Sequence, residues 1–158
     1  MPLERHFSMN EVLPHERRML LLDEVLDAGS EHVTCAVTIR ADTMFCDGTN
    51  GVPSWVGLEY MAQTVCTFSG VDEAREGKRP SIGLLLGSRR YKTAAPFFPI
   101  GARLIVHAEL VLRDENDLVA FSCTIKEGDR VLASGDVKAL RPKDVFAVVR
   151  GDRIEAGA

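Results

Sequence analysis

Residues 53–71 read PSWVGLEYMAQTVCTFSGV, and in this run Glu59 is the one ionisable acid or base apart from Tyr60 and Cys66. A surface helix shows a polar face. This run shows almost none, so it reads as a helix over about residues 54–69, buried on nearly all sides. At the usual rise per residue such a helix is about 24 Å long. Ser54 is placed to cap its start and Gly70 to close its end. A carboxylate is costly to bury unless it is paired, hydrogen-bonded or protonated. Glu59 therefore needs a reason to be there, and chemistry is the leading one; a structural carboxylate tied to a backbone N–H or an arginine is the other.

Upstream of this helix, residues 8–14 read as a short helix capped by Ser8 or Asn10, with Pro14 near its end. Residues 19–26 are apolar around Asp23 and Glu24 and read as a short strand. His32 to Arg40 alternates, with Val33, Cys35, Val37 and Ile39 on one face. Residues 41–53 are a loop, marked by Asp47-Gly48-Thr49-Asn50-Gly51. Downstream, 72–80 is a polar connection. Strands follow at 82–92, 102–113, 118–126 and 131–141. Short loops at 114–117 and 127–130 force the last three to be antiparallel neighbours.

One helix apolar all round and a set of antiparallel strands pack in one economical way. The fold is α+β, a curved antiparallel β-sheet wrapped around a long buried central helix. The far edges of such a sheet stay open, which favours pairing with a second chain. Residues 1–158 read as a single domain with its core over about 8–142. The tail 143–158 carries Val145, Phe146, Val148 and Val149 as one more strand or a docking segment.

The bulk numbers narrow the function classes. A chain of 158 residues is long enough for one real core, and 46% hydrophobic with 27% charged residues is a globular composition. A net charge of −4 speaks against nucleic acid as a partner. No window is apolar enough to span a membrane, and the N-terminus lacks the apolar core of a secretion signal. Cys35, Cys46, Cys66 and Cys123 form no close pair, so no metal is expected, and isolated thiols fit the cytoplasm.

Three stretches resemble one family. Leu13-Pro14-His15 with Met19-Leu20-Leu21-Leu22-Asp23-Glu24-Val25 resembles the LPH…FLLVDRV opening of the hotdog-fold 3-hydroxyacyl-(acyl carrier protein) dehydratases. Gly57-Leu58-Glu59-Tyr60-Met61-Ala62-Gln63 resembles their LEAMAQ helix motif, and Arg90-Tyr91-Lys92 with Pro99-Ile100-Gly101 their RFK…VPGD segment. The likeness covers about residues 8–142. One departure stands out. The family's catalytic histidine lies in an HFPG motif fourteen positions before the helix acid, and here that position is Phe45, in Phe45-Cys46-Asp47-Gly48. A sub-group with this change and a Pro-Ser/Gly-Trp helix entry is similar to this chain; it belongs to aryl-polyene pigment gene clusters.

The resemblance implies a hotdog fold and dehydration of 3-hydroxyacyl thioesters, carried on acyl carrier protein, to trans-2-enoyl thioesters in fatty-acid or polyketide synthesis. It implies a homodimer, or a heterodimer with a second hotdog protein. No resident cofactor is expected, because the substrate arrives on the carrier's phosphopantetheine. Two alternatives stay open: a non-catalytic hotdog subunit supporting a partner dehydratase, and a hotdog acyl thioesterase.

Such a dehydration needs a base for the proton beside the carbonyl, an acid for the departing hydroxyl, and donors for the carbonyl oxygen. Glu59 is the candidate acid. Ser54, Trp55 and Gly57 at the helix start, with Phe45, are the candidate substrate-binding residues, since a helix start offers amides and a positive dipole end. His15 is the candidate second catalytic group; its other reading is a histidine that packs and bonds a loop. Cys46 and Asp47 flank the vacant position and read as loop structure. His6, His32 and His107 read as ordinary terminal or strand-surface residues. Carrier proteins are acidic, so Arg90 and Lys92 are the candidate carrier contacts, with Arg75, Lys78 and Arg79 a second basic cluster. In a flat strand, alternation would send Arg89 and Arg90 to opposite faces.

Overall fold

The computed structural model describes residues 3–15, 17–81 and 83–140. The expected tail segment at 143–158 lies outside them. The chain opens with α1 (Met9–Val12), where Ser8 is the N-cap and its N–H donates to Glu11 Oε2 at 2.8 Å. A 3₁₀ turn (Arg17–Met19), β1 (Glu24–Ala28), β2 (His32–Thr38) and β3 (Val52–Pro53) follow. A second 3₁₀ turn (Ser54–Val56) leads into α2 (Gly57–Arg75). The rest is strand: β4 (Leu84–Gly87), β5 (Lys92–Thr93), β6 (Phe97–Phe98), β7 (Arg103–Arg113), β8 (Leu118–Glu127) and β9 (Arg130–Leu140).

The main sheet is antiparallel throughout and runs β1-β2-β7-β8-β9-β4, with β5 also pairing with β9. β3 and β6 form a separate two-stranded ribbon at the start of α2. Alternation along β2 puts Val33, Cys35 and Val37 inward, in register with Ala108, Val106 and Leu104 of β7. Phe121, Cys123 and Ile125 of β8 continue the same inner face. α2 packs against β1, β2, β7, β8 and β9, so a single helix fills the sheet, as expected of a hotdog arrangement. Burial pushes the thiols of Cys35 and Cys123 up to about 12, and both are inert core residues.

Several boundaries differ from the sequence reading, each for a local reason. α2 continues to Arg75, because Asp72 and Arg75 pair at 3.4 Å and the Glu73 carboxylate accepts the Ser81 N–H and hydroxyl at 3.0 and 3.1 Å. The residue that turns the chain after the helix is Gly77, at φ 71°. Gly70 does not close it. A Cβ there would overlap the Val12 carbonyl, so this glycine lets α1 lie directly on α2. Ser54 is not a side-chain cap; the residues entering both helical turns are Pro53 and Val56.

The first strand begins at Glu24, not Met19, because the Met19 carbonyl and Leu21 N–H bond the Gln63 side chain instead of a strand. The strand expected at 82–92 is broken. Asp136 Oδ1 accepts the N–H groups of Arg89 (2.8 Å) and Arg90 (3.2 Å), folding residues 88–90 into a turn between β4 and β5. Both arginines are therefore exposed, and the flat-strand argument does not apply to them. Among the described residues no helix is long and apolar enough to cross a membrane.

Candidate active site

α2 is buried on every side but one. Leu58, Glu59, Ala62, Cys66 and Ser69 form a half-buried stripe along it. The β4 end of the sheet does not close over this stripe, and a cleft of about 300 Å³ remains, lined by His15, Glu59, Ala62, Cys66, Leu85 and Val137 among others. The expectation that Glu59 is sealed on nearly all sides is corrected here: its side chain keeps 36% of its surface exposed, all of it on this stripe.

Glu59 is nonetheless held. Its Oε1 accepts a hydrogen bond from Gln63 Nε2 at 3.1 Å, one turn further along the helix. Gln63 is fully buried, and the same Nε2 donates to the Met19 carbonyl at 2.6 Å while its Oε1 accepts the Leu21 N–H at 3.0 Å. The amide thus fixes the carboxyl and ties it to the N-terminal segment. Sequence reasoning passed over Gln63. The signal was present: a lone amide four residues after the lone acid, on the same face of an apolar helix.

His15 comes to the same place. Pro14 and the α1–α2 packing at Gly70 set its backbone, and its Nε2 lies 4.0 Å from Glu59 Oε1. That is beyond a direct hydrogen bond and within reach of one shared atom. Its Nδ1 is buried with no protein partner.

The helix start is more occupied than the sequence suggests. The Ser54 N–H donates to the Pro96 carbonyl at 2.9 Å, and the Gly57 N–H is taken by the carbonyls of Ser54 and Trp55. Gly57 therefore offers no amide to a ligand. Its lack of a side chain serves packing: a Cβ would overlap the Tyr91 hydroxyl and stand 2.8 Å from the Phe98 ring. Tyr91, also missed, uses that space to donate from its hydroxyl to the Ser54 carbonyl.

Phe45 and Trp55 are not in the Glu59 cleft. They meet edge to face, ring centres 5.8 Å apart, and Trp55 is 65% exposed. Phe45 has a left-handed backbone, φ 69°, uncommon for a bulky residue. Beside it, Asp47 Oδ1 accepts the N–H groups of Thr49 (2.9 Å), Asn50 (2.7 Å) and Gly51 (3.1 Å), which hold its carboxyl down to about 2. Cys46 Sγ accepts the Gly48 N–H at 3.4 Å. Both residues serve the loop.

The Cys66 thiol in the cleft is pushed up to about 11, first by burial and then by the charge of Glu59, so it is a protonated wall and not a nucleophile. Arg90 and Lys92 are exposed on either side of Tyr91. In the second basic cluster Arg75 pairs with Asp72, and Lys78 with Glu76 at 2.6 Å. His32 and His107 stack on the outer sheet face, bonded to Asp27 and Thr34.

No curated protein matches the chain in sequence. Among solved structures, the dehydratase heterocomplex ApeI:P from Xenorhabdus doucetiae contains a chain 29% identical to this one, covering 94% of this chain and 100% of its own, with a TM-score of 0.82. Zebra fish thioesterase superfamily member 2 is 15% identical over 84% of this chain and 90% of its own, with a TM-score of 0.61. Protein PH1136 from Pyrococcus horikoshii is 12% identical over 91% and 96%, with a TM-score of 0.64. These last two share the hotdog fold alone. The sequence profile of the ApeP-like family, described as ApeP dehydratase, matches residues 7–150. A helix acid facing a cleft, in a hotdog fold that this profile spans almost end to end, therefore places the chain in the ApeP-like family of dehydratases.

Proposed function

We propose that the protein removes water from a 3-hydroxyacyl thioester carried on an acyl carrier protein, giving a trans-2-enoyl thioester, with Glu59 and His15 as the working pair. The observation that carries the reading is their 4.0 Å approach at the head of an apolar cleft. In the elimination, the proton leaves C2 and the hydroxyl leaves the adjacent C3. Acid and base acting on one face of neighbouring atoms must stand a few ångströms apart, as these do.

His15 Nε2 takes the C2 proton, and the C–H electron pair becomes the new double bond as the C3–O bond breaks. The hydroxyl leaves as water with the proton of Glu59. Gln63 donates to Oε1, so the proton is assigned to Oε2. The products are a Glu59 carboxylate and a His15 imidazolium, and the released water can return the proton across the 4.0 Å gap. Charge developing on the thioester oxygen is met by the positive end of α2. The scheme calls for no resident cofactor.

Arg90 and Lys92 flank the tyrosine that reaches the helix start, which suits the acidic carrier whose arm must thread there. A second hotdog subunit is supported by the ApeI:P relative and by β4, an edge strand of the main sheet with Leu85 and Leu86 exposed beside the open cleft. Four free cysteines fit a cytoplasmic setting.

A second reading, a subunit that turns over only beside a partner, is favoured by Phe45. It stands where the resemblance places a catalytic histidine, outside the cleft. Incubating the chain with a 3-hydroxyacyl carrier protein, alone and with its partner, separates the two. Enoyl formation by the chain alone supports the pair as proposed; formation only in the mixture favours the second reading. Release of free acid instead would make it a thioesterase.

A further inference from the structure

The Glu59 cleft does not end at Cys66. A second cavity of about 280 Å³ lies beneath the C-terminal half of α2, walled by Val65, Phe68, Val119 and Phe121, with the two phenyl rings edge to face at 5.1 Å. The two spaces share three wall residues, Cys66, Gly83 and Ala139. Each space alone is at or below the lower bound of ligand pockets, roughly 300 Å³, and joined they fall within the usual range.

The shared residues are small, and the backbone does not explain Gly83. Among the described residues, the nearest atom to a Cβ built there is the Leu140 carbonyl oxygen at an ordinary 3.7 Å. A side chain there meets no described atom closer than that, at a position that lines both spaces. Gly57 and Gly70 differ, since packing forbids a Cβ at either. Cys66 is likewise a small protonated wall.

We propose that Cys66, Gly83 and Ala139 form a neck through which the acyl chain passes from the Glu59 cleft into the second cavity, so that Gly83 and Cys66 set the longest chain accepted. This rests on the reading that the cleft holds an acyl thioester. A short acyl chain stays on the Glu59 side of the neck. A long one crosses it and buries its distal methylenes against Phe68 and Phe121. The same cavity is also lined by Asp72, Glu73, Glu76, Lys78, Arg113 and Asp117, and a purely apolar chain gains nothing by extending onto that charge.

The test uses the full chain and four-carbon and twelve-carbon acyl-pantetheine amides, which bind without reacting. Calorimetry on the wild type should show the longer probe bound roughly tenfold or more tightly, as extra buried methylenes require. Gly83→Ile should remove that preference by weakening the twelve-carbon probe far more than the four-carbon one. Gly83→Ala, the smallest intrusion, should reduce it partway, and it keeps the test alive if a larger variant fails to fold. Equal wild-type affinity for the two probes overturns the proposal. So does a preference that survives in folded neck variants, or a neck variant that weakens both probes alike. Binding reads the channel and enoyl formation reads the reaction, so either can fail without the other.

Discussion

Two segments approach the start of α2 from outside it, and they treat it differently. The N-terminal segment through His15 is pinned to the helix at both levels. α1 lies on Gly70 without an intervening side chain, and Gln63 bonds Met19 and Leu21 just beyond the histidine. The loop around Phe45 is bonded chiefly to itself. Asp47 collects three of its amides; outward, Phe45 meets the exposed Trp55 and Cys46 packs against the core. The polar group that reaches the helix acid comes from the first segment, although the resemblance assigns the reacting histidine to the second. Spatial proximity to a helix start is therefore not enough to make a site; what matters is which segment is tied to the helix face that carries the acid.

Substitutions can break that contrast. Glu59→Gln should show the largest effect, a loss of roughly a hundred- to ten-thousand-fold in enoyl formation, the range of general acid–base catalysis. Its thermal midpoint should hardly move, because the side chain is partly exposed and Gln63 keeps its other partners. His15→Ala should fall toward the lower end of that range, with Phe45→Ala sparing the rate. If the order is reversed, the assignment to the N-terminal segment is wrong.

Gly70→Ala sharpens the comparison through the backbone. The new methyl meets the Val12 carbonyl, so α1 must lift, at a cost of about 1–3 kcal/mol typical of overpacking. Because α1 leads into His15, dehydration should drop along with the unfolding midpoint. A stability loss at unchanged rate would show that α1 does not position the histidine.

The smallest effect belongs to the loop. The Asp47 carboxyl is held down to about 2 by the Thr49, Asn50 and Gly51 amides. A depressed carboxyl contributes its stabilisation in full above the ordinary carboxylate range and loses it as pH falls toward 2. Amide exchange at residues 49–51 should therefore quicken only over that acid window. Asp47→Ala should quicken it at neutral pH and leave dehydration unchanged. A fall in rate would make the loop part of the site after all.

Much of the fold was legible. The run of α2 with a single charge and no polar face, and the two hairpins, dictated a helix filled into an antiparallel sheet, because a helix without a wet face has to be surrounded. The alternation of Val33, Cys35 and Val37 gave the inner face of β2. What was misread were features whose partner is distant in sequence. Gly70 looks like a helix terminator until α1 is placed on it. The 82–92 run looks like one strand until Asp136 turns it at Arg89 and Arg90. Gly57 looks like an amide donor until the Ser54 and Trp55 carbonyls take its N–H.

By itself, the chain's order of residues determined that a lone carboxyl would stand on a helix with no other charge near it, since burial patterns are local and periodic. Only the tertiary structure decided that the carboxyl opens onto a cleft, that His15 faces it and that Phe45 does not. The reason is that a strand edge left unpaired, and a segment laid across a glycine, are set by which surfaces meet, and no periodicity along one segment encodes that.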